Sequence, residues 1–107
     1  MAQIIWTELA RSDVESIFHY YETISSLLAE TIIYEIFDSV EYLKKMPELG
    51  AKEPLFSHLG RNYRYLVLRE RYKLMYLYEN NKCYILMVWD CRNNPELLAK
   101  REMFIDF

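Results

Sequence analysis

The sequence predicts a two-layer α+β domain, in which an N-terminal strand and an antiparallel helix hairpin pack on a mostly antiparallel sheet. In the first half of the chain, apolar residues recur at spacings of three and four, which is typical of amphipathic helices. In the second half, three short apolar segments between residues 63 and 89 alternate with turns, which is typical of a strand meander. With 107 residues, 52% of them apolar, and only two Gly and three Pro, the chain is predicted to form one compact domain over residues 1–107.

Ala2–Trp6 is predicted to be a short strand, and a helix follows it. One helical face would carry Ala10, Val14, Ile17, Phe18, Tyr21 and Ile24. The helix has two candidate starts. Thr7 is a possible N-cap, and Ser12 followed by Glu15 fits a capping box that would start the helix later.

Ser25-Ser26 interrupts this pattern and can cap a second helix. The apolar stripe of that helix would be Ala29, Ile32, Ile33, Ile36, Val40 and Leu43, broadened by Phe37. Lys44 and Lys45 complement the dipole at its C-terminal end, and Pro47 ends it. The short break between the two helices predicts an antiparallel hairpin.

The second half is predicted to hold a loop, a meander and a last short helix. Asn80-Asn81 is a plausible tight turn because Asn tolerates the left-handed backbone region, whereas the turn at residues 69–71 has neither Gly nor Asn, and its geometry stays open. The continuous apolar character of the third strand predicts a central strand that is covered on both faces. The predicted elements are the loop Pro47–Gly60, the strands Tyr63–Leu68, Tyr72–Tyr78 and Cys83–Trp89, and a helix from Glu96 to Arg101 or slightly beyond, opened by Asn94-Pro95.

Charge is unevenly distributed along the chain, whose net charge is −3. Residues 1–60 hold four basic and ten acidic residues, whereas residues 61–73 hold five basic residues and one acidic residue. This distribution predicts local binding of an anion and does not suit a broadly basic nucleic-acid binder. Arg69, Glu70 and Arg71 are interpreted as a solvated turn.

Targeting and metal-binding signals are weak. Cys83 and Cys91 on one strand would lie about 26 Å apart, too far for a disulfide, and free thiols suit a reducing, cytoplasmic location. Cys83 is interpreted as a small buried apolar residue. No segment approaches the roughly 20 apolar residues of a membrane span. His19 and His58 have no ligand-type neighbours at metal-binding spacing, so we expect neither a metal nor another cofactor.

The segment Val88-Trp89-Asp90-Cys91-Arg92-Asn93-Asn94-Pro95 closes the most apolar run of the chain. An acid and a base appear two residues apart, and Asn-Asn-Pro stops the strand. A buried strand that ends in this way brings polar groups to the rim of a sheet, where binding and catalytic groups are often held.

This segment and four others resemble the RelE/ParE superfamily of toxins from type II toxin–antitoxin modules. Ile5-Trp6-Thr7 leads into the first helix, and Pro47-Glu48-Leu49-Gly50 follows the second. Arg64-Tyr65-Leu66-Val67 precedes Tyr72-Lys73-Leu74-Met75-Tyr76, similar to the Arg-x-Leu-Val and Tyr-Arg-x-x-Tyr strands of the family. The resemblance implies a toxin that arrests bacterial growth and is neutralised by a cognate antitoxin protein, which would dock in a groove beside the helix hairpin or on the sheet face.

The resemblance leaves the target open. RelE-like members cleave mRNA in the translating ribosome, and ParE-like members poison DNA gyrase on nearly the same fold. A third alternative is a degenerate, non-toxic member that acts only as a binding partner.

For the nuclease, the resemblance assigns catalytic basic sites to Arg64, Lys73 and Arg92, which would clamp the scissile phosphate. Arg61, Tyr65 and Asp90 are the further predicted substrate contacts. Leu66 and Leu97 or Leu98 replace a basic residue and the C-terminal Tyr of the nuclease type, and no His or Tyr follows Tyr84. Proton transfer would then fall to Asp90, Glu96 or Tyr65.

Overall fold

The computed structural model describes residues 1–105. Its strands are β1 (Gln3–Trp6), β2 (Ala51–Lys52), β3 (Tyr63–Leu68), β4 (Tyr72–Glu79) and β5 (Lys82–Asp90). Its helices are α1 (Glu8–Glu22), α2 (Ser26–Lys45) and α3 (Pro95–Lys100), with short 3-10 turns at Pro54–Leu59 and Arg101–Phe104. The predicted α+β fold is confirmed. The additions are the two-residue strand β2 and the first 3-10 turn, both inside the segment predicted to be a loop, and the second 3-10 turn after α3.

Side-chain caps set the starts of both long helices. The hydroxyl oxygen of Thr7 accepts a hydrogen bond from the Ala10 backbone N–H at 3.2 Å, so α1 begins at the earlier of the two candidate starts. The same hydroxyl donates to the carbonyl oxygen of Ile85 at 2.8 Å, which ties the end of β1 to β5. Ser25 caps α2 by accepting from Leu28 N–H at 3.2 Å.

The sheet has the strand order β1-β5-β4-β3-β2. β1 runs parallel to β5, and the remaining pairs are antiparallel. Both hairpin turns use residues with positive φ, at Arg69 and Glu70 (54° and 53°) and at Asn80 and Asn81 (53° and 60°). The Asn pair was predicted. Arg69 and Glu70 adopt the same backbone region against a steric cost of about 1–2 kcal/mol per residue.

The sheet is covered on both faces, as the apolar character of β5 predicted. We call the side packed on α1 and α2 the hairpin face; its core includes Ile32, Ile36, Leu74, Tyr76 and Ile85. The opposite side, the distal face, packs on residues of the Pro54–Leu59 turn, α3 and the C-terminal turn. Its buried residues include Phe56, Met75, Met87, Trp89, Leu98 and Ile105.

An irregularity in β5 changes which residues face each side. Met75 pairs with Met87 and Tyr76 pairs with Ile85, so Leu86 is an extra residue between them. Leu86 and Met87 therefore both lie in the distal core, whereas Val88 returns to the hairpin core. None of the helices in residues 1–105 is long and apolar enough to cross a membrane.

Candidate functional site

Arg64 lies on β3 and points to the hairpin face. Its Nη1 donates to the carbonyl oxygens of Gly50 at 2.7 Å and Glu48 at 3.2 Å, and its Nε donates to Asn62 Oδ1 at 3.0 Å. The hydroxyl of Tyr76 holds the same loop, because it donates to the Pro47 carbonyl at 2.8 Å and accepts from Gly50 N–H at 2.9 Å. Burial raises the pKa of this Tyr76 hydroxyl. Arg64 therefore anchors the Pro47–Gly50 loop.

Lys73 lies on β4 and points to the distal face. Its ammonium contacts Glu53 Oε2 at 2.6 Å and sits 4.4 Å from the centre of the Tyr65 ring. The Glu53 side chain is fully buried, and its other oxygen accepts from Leu55 N–H at 3.3 Å. Glu53 was not among the predicted site residues, because nothing local in the loop sequence distinguishes it from the other acids of the first half. Lys73 neutralises this buried carboxylate.

The strand register explains why Arg64 and Lys73 are not neighbours. Lys73 pairs with Val67 on β3, three residues from Arg64. Three steps along a strand span about 10 Å, and an odd number of steps places two side chains on opposite faces. In this structure the sheet itself separates the two cations, so they do not form one phosphate clamp.

Arg92, the third basic candidate, follows β5 and is paired with Asp90. Its guanidinium donates to both Asp90 oxygens, with Nη2 to Oδ2 at 2.8 Å and Nε to Oδ1 at 3.1 Å. The Arg92 side chain is 60% exposed. The Asp90 carboxylate also accepts from Arg92 N–H at 3.0 Å and lies 3.6 Å from Arg71 Nη2. Asp90, one of the three candidates for proton transfer, is thus hydrogen-bonded to Arg92 and lies within ion-pair distance of Arg71.

The other predicted contacts are dispersed. Arg61 forms a bidentate pair with Glu79, with Nε to Oε2 at 2.9 Å and Nη2 to Oε1 at 2.5 Å. This hydrogen-bonded pair raises the pKa of Arg61 and lowers the pKa of Glu79. Tyr65 lies under Lys73 on the distal face. At the position of the missing C-terminal Tyr, Leu98 is buried in the distal core.

Arg69 and Arg71 are not simply a solvated turn. Arg69 reaches α2 and pairs with Glu35, with Nε to Oε2 at 2.5 Å. The Arg71 guanidinium packs on the rings of Tyr20, Tyr21 and Tyr72. The concentration of basic residues in 61–73 was the available sequence signal, but it did not show that Arg71 packs inside the fold.

A groove runs beside the helix hairpin along β1, one of the two edge strands of the sheet. It consists of two adjoining hollows of about 370 and 360 Å³ that share Trp6 and Phe37. The ring centres of these two residues are 5.3 Å apart, and Phe37 is 47% exposed. The groove is lined by Ala2, Gln3, Ile4, Trp6, Arg11, Val14, Glu15, Phe37, Val40, Glu41 and Lys44.

The groove has the features of a protein-binding surface. Its lining combines apolar side chains with charged side chains of both signs, which is the usual composition of such surfaces. β1 also has a strand neighbour on one side only, so its open edge can accept an added strand. Within residues 1–105, no three His, Cys, Asp or Glu side chains are grouped closely enough to hold a metal ion. Both cysteines are free, with Cys83 buried and Cys91 exposed.

Comparison with known proteins gives one family and one fold. Residues 4–95 match the model of the family described as ParE toxin of type II toxin–antitoxin system, parDE. No curated protein matches the chain. Among solved structures, the chain is similar to one from the chromosomal ParDE TA system from P. aeruginosa. The TM-score is 0.69 at 22% identity, covering 84% of this chain and 96% of the other, and at that identity the likeness shows the fold.

Proposed function

This chain belongs to the ParE toxin family of type II toxin–antitoxin systems, and we propose that it arrests growth by binding DNA gyrase as a protein-binding module. The observation that carries the proposal is the separation of the three basic candidates. Arg64 and Lys73 lie on opposite faces of the sheet, and Lys73 and Arg92 are each paired with a carboxylate of the chain itself. A gyrase-binding toxin needs no such clamp and no proton-transfer residue.

RNA cleavage makes chemical demands that the chain meets poorly. Attack by the 2′-hydroxyl needs a base, an acid and cations around one phosphate. No His or Tyr follows Tyr84 in the sequence. Asp90 and Arg92 at the end of β5 share their hydrogen bonds with each other, so neither is poised for a substrate without breaking that pair.

The cognate antitoxin is proposed to dock in the groove of Trp6 and Phe37. A segment that folds on binding would extend the sheet at the open edge of β1 or lay an apolar helix face on the groove. The exposed Phe37 ring offers an anchor that such a segment can cover. Apolar anchors at the centre of an interface commonly carry much of its binding energy.

The target is tested by inducing the toxin in cells without its antitoxin, with cellular mRNA and gyrase-linked DNA breaks measured in parallel. We expect growth arrest and gyrase-linked breaks while translated mRNA stays intact. Arg64→Ala and Arg92→Ala each remove one basic residue of the phosphate clamp that the nuclease alternative requires. Cleavage of translated mRNA that disappears in both variants would overturn the gyrase proposal in favour of a nuclease. Unchanged growth in soluble, folded toxin would point instead to a non-toxic member of the family.

The docking surface is tested with the purified toxin and the antitoxin encoded with it. Phe37→Glu should weaken binding at least about tenfold, because it places a charge against a covered apolar anchor. Tyr34→Glu is the matched control, since Tyr34 is on the same helix and 71% exposed but does not line the groove. Weaker binding in Tyr34→Glu with normal binding in Phe37→Glu would place the antitoxin elsewhere.

A further inference from the structure

A small polar cleft lies where the end of β5 meets α1 and the start of β4. Its volume is about 280 Å³, below the roughly 300–1,000 Å³ of common small-molecule pockets, so it suits a single side chain. Three arginines, Arg71, Arg92 and Arg101, and two acids, Asp13 and Asp90, line it. The groove of Trp6 and Phe37 shares none of these residues.

Two of the three arginines have strong carboxylate partners. Arg101 donates to both oxygens of Asp13, at 2.7 and 3.1 Å, and also lies over the Trp89 ring at 4.9 Å. Arg92 forms the equivalent pair with Asp90. These two pairs neutralise Arg101 and Arg92. The third arginine of the cleft has no carboxylate within hydrogen-bond distance.

Arg71 is that remaining arginine. Its guanidinium carbon lies 5.2 Å from the ring centres of Tyr21 and Tyr72 and 5.7 Å from that of Tyr20. Tyr21 and Tyr72 are buried and joined by a hydrogen bond between their hydroxyls at 3.2 Å, so this aromatic wall is fixed. The nearest carboxylate oxygen, on Asp90, is 3.6 Å from Arg71 Nη2, beyond hydrogen-bond distance.

The hydrogen-bond donors of Arg71 are therefore unused. In residues 1–105 its side chain makes no hydrogen bond. Its Nε is buried, whereas 22% of the side chain is exposed, so an incoming group would meet the two terminal nitrogens, Nη1 and Nη2. A buried donor without an acceptor is unfavourable, and a guanidinium fork fits two oxygens of one anionic group. The cleft therefore carries one more positive charge than negative charges, and the donors of Arg71 lack an acceptor. One bound anion would supply both the charge and the acceptor.

We propose that Arg71 is the receptor for the carboxylate of an Asp or Glu side chain from a partner polypeptide. A nucleic-acid backbone is the weaker candidate, because one wall of the cleft is α1, which carries four acidic residues and only one arginine. A chain of phosphates would pass close to that acidic helix, whereas one carboxylate enters the cleft alone. This carboxylate site depends on the cleft alone and is independent of the proposed gyrase and antitoxin contacts.

The test follows the arginine Nε–Hε signals of the ¹⁵N-labelled protein by NMR during titration with glutamate blocked at both backbone ends. The signal of Arg71 should shift saturably, and blocked glutamine should leave it unchanged. Arg71→Lys lacks this signal, so its binding is followed at the signals of Arg92 and Arg101, which line the same cleft. It should weaken binding at least about fivefold, because an ammonium keeps the charge but loses the bidentate fork. Arg69→Lys is the matched control, because Arg69 is two residues away, pairs with Glu35 and does not line the cleft.

A second variant keeps the test valid if Arg71→Lys disturbs the aromatic wall. Asp90→Asn removes the carboxylate nearest to Arg71, which is also the partner of Arg92. At the Arg71 signal, it should tighten the binding of blocked glutamate about fivefold. An unmoved Arg71 signal, an equal response to blocked glutamine, or unchanged affinity in Asp90→Asn would each overturn the proposal. Tighter binding of a single-stranded oligonucleotide than of blocked glutamate, seen at the same signal, would assign the cleft to phosphate instead.

Discussion

The two faces of the sheet hold their polar groups in different ways. On the hairpin face, Arg64 donates to neutral carbonyl oxygens, and the polar groups beneath the helices, Tyr76 and Cys83, are buried. On the distal face, Lys73 meets the carboxylate of Glu53, which has no exposed surface. The hairpin face thus holds its cation on neutral oxygens, and the distal face holds its cation on a buried carboxylate.

The difference shows that residue type and strand position do not define a role. Arg64 and Lys73 are both basic, lie on adjacent strands and looked equivalent in the sequence. Arg64 holds a loop in place through hydrogen bonds, whereas Lys73 stabilises a buried carboxylate through an ion pair. The difference predicts distinct responses to substitution and to pH.

The largest effect is expected at the buried ion pair. Lys73→Met would leave the Glu53 carboxylate buried without its partner, and removing one member of a buried pair typically destabilises a fold by about 3–5 kcal/mol. We expect a loss near the lower end, since the Lys73 side chain keeps 18% of its surface exposed. Urea unfolding of the wild type and the variant measures the difference.

The matched control removes both charges. In Lys73→Met/Glu53→Met no charge stays buried, so most of the lost stability should return. If the double variant is less stable than Lys73→Met alone, Glu53 stabilises the fold through contacts other than its ion pair with Lys73. The proposed difference between the two faces would then be wrong.

The next effect is expected at high pH on the hairpin face. Burial raises the pKa of the Cys83 thiol from its usual value near 9 to about 11. Between these two values the unfolded chain loses the thiol proton and the folded chain keeps it, so stability falls as pH rises from about 9 to 11. Two pKa units correspond to a loss of about 2–3 kcal/mol.

Urea unfolding in the presence of a reductant, at pH 8.5 and above pH 10.5, measures this loss. The control is Cys83→Ala, which lacks the thiol but keeps the buried tyrosines, whose own titration affects both proteins. The wild type should lose more stability than Cys83→Ala over this pH interval. Parallel pH profiles would show that the thiol does not contribute.

The smallest effect is expected at Arg64. Arg64→Met removes the hydrogen bonds to the Gly50 and Glu48 carbonyls and to Asn62, and we expect a loss of about 2 kcal/mol. Arg61→Met is the control on the same stretch of chain. It breaks a partly exposed pair with Glu79 and should cost about 1 kcal/mol or less. If the two variants lose equal amounts of stability, Arg64 does not anchor the loop.

Local patterns predicted most of the elements correctly. The spacing of apolar residues located α1 and α2, and Thr7 and Ser25 marked their starts. Asn80-Asn81 predicted its turn because Asn accepts positive φ. The turn at Arg69 and Glu70 also has positive φ at both residues. Neither Arg nor Glu favours positive φ, so the local sequence did not predict the geometry of this turn.

That one turn also determined the outcome for the predicted clamp. The register through it pairs Leu68 with Tyr72, which places Lys73 opposite Val67. A shift of one residue would have put Lys73 opposite Leu66, on the face of Arg64. The hypothesis of a shared phosphate site therefore depended on a turn whose length and shape the sequence left open.

The sequence by itself determined the kind and order of the elements, their apolar sides and the family resemblance that the comparisons confirmed. These properties depend on neighbours within a few residues, which periodicity and caps record directly. Only the tertiary structure decided that β1 pairs with β5, that Glu53 lies beneath Lys73 and that Arg71 packs among three tyrosines. Those contacts join residues far apart in the chain, and their geometry depends on strand register and on the extra residue in β5, which no local pattern records.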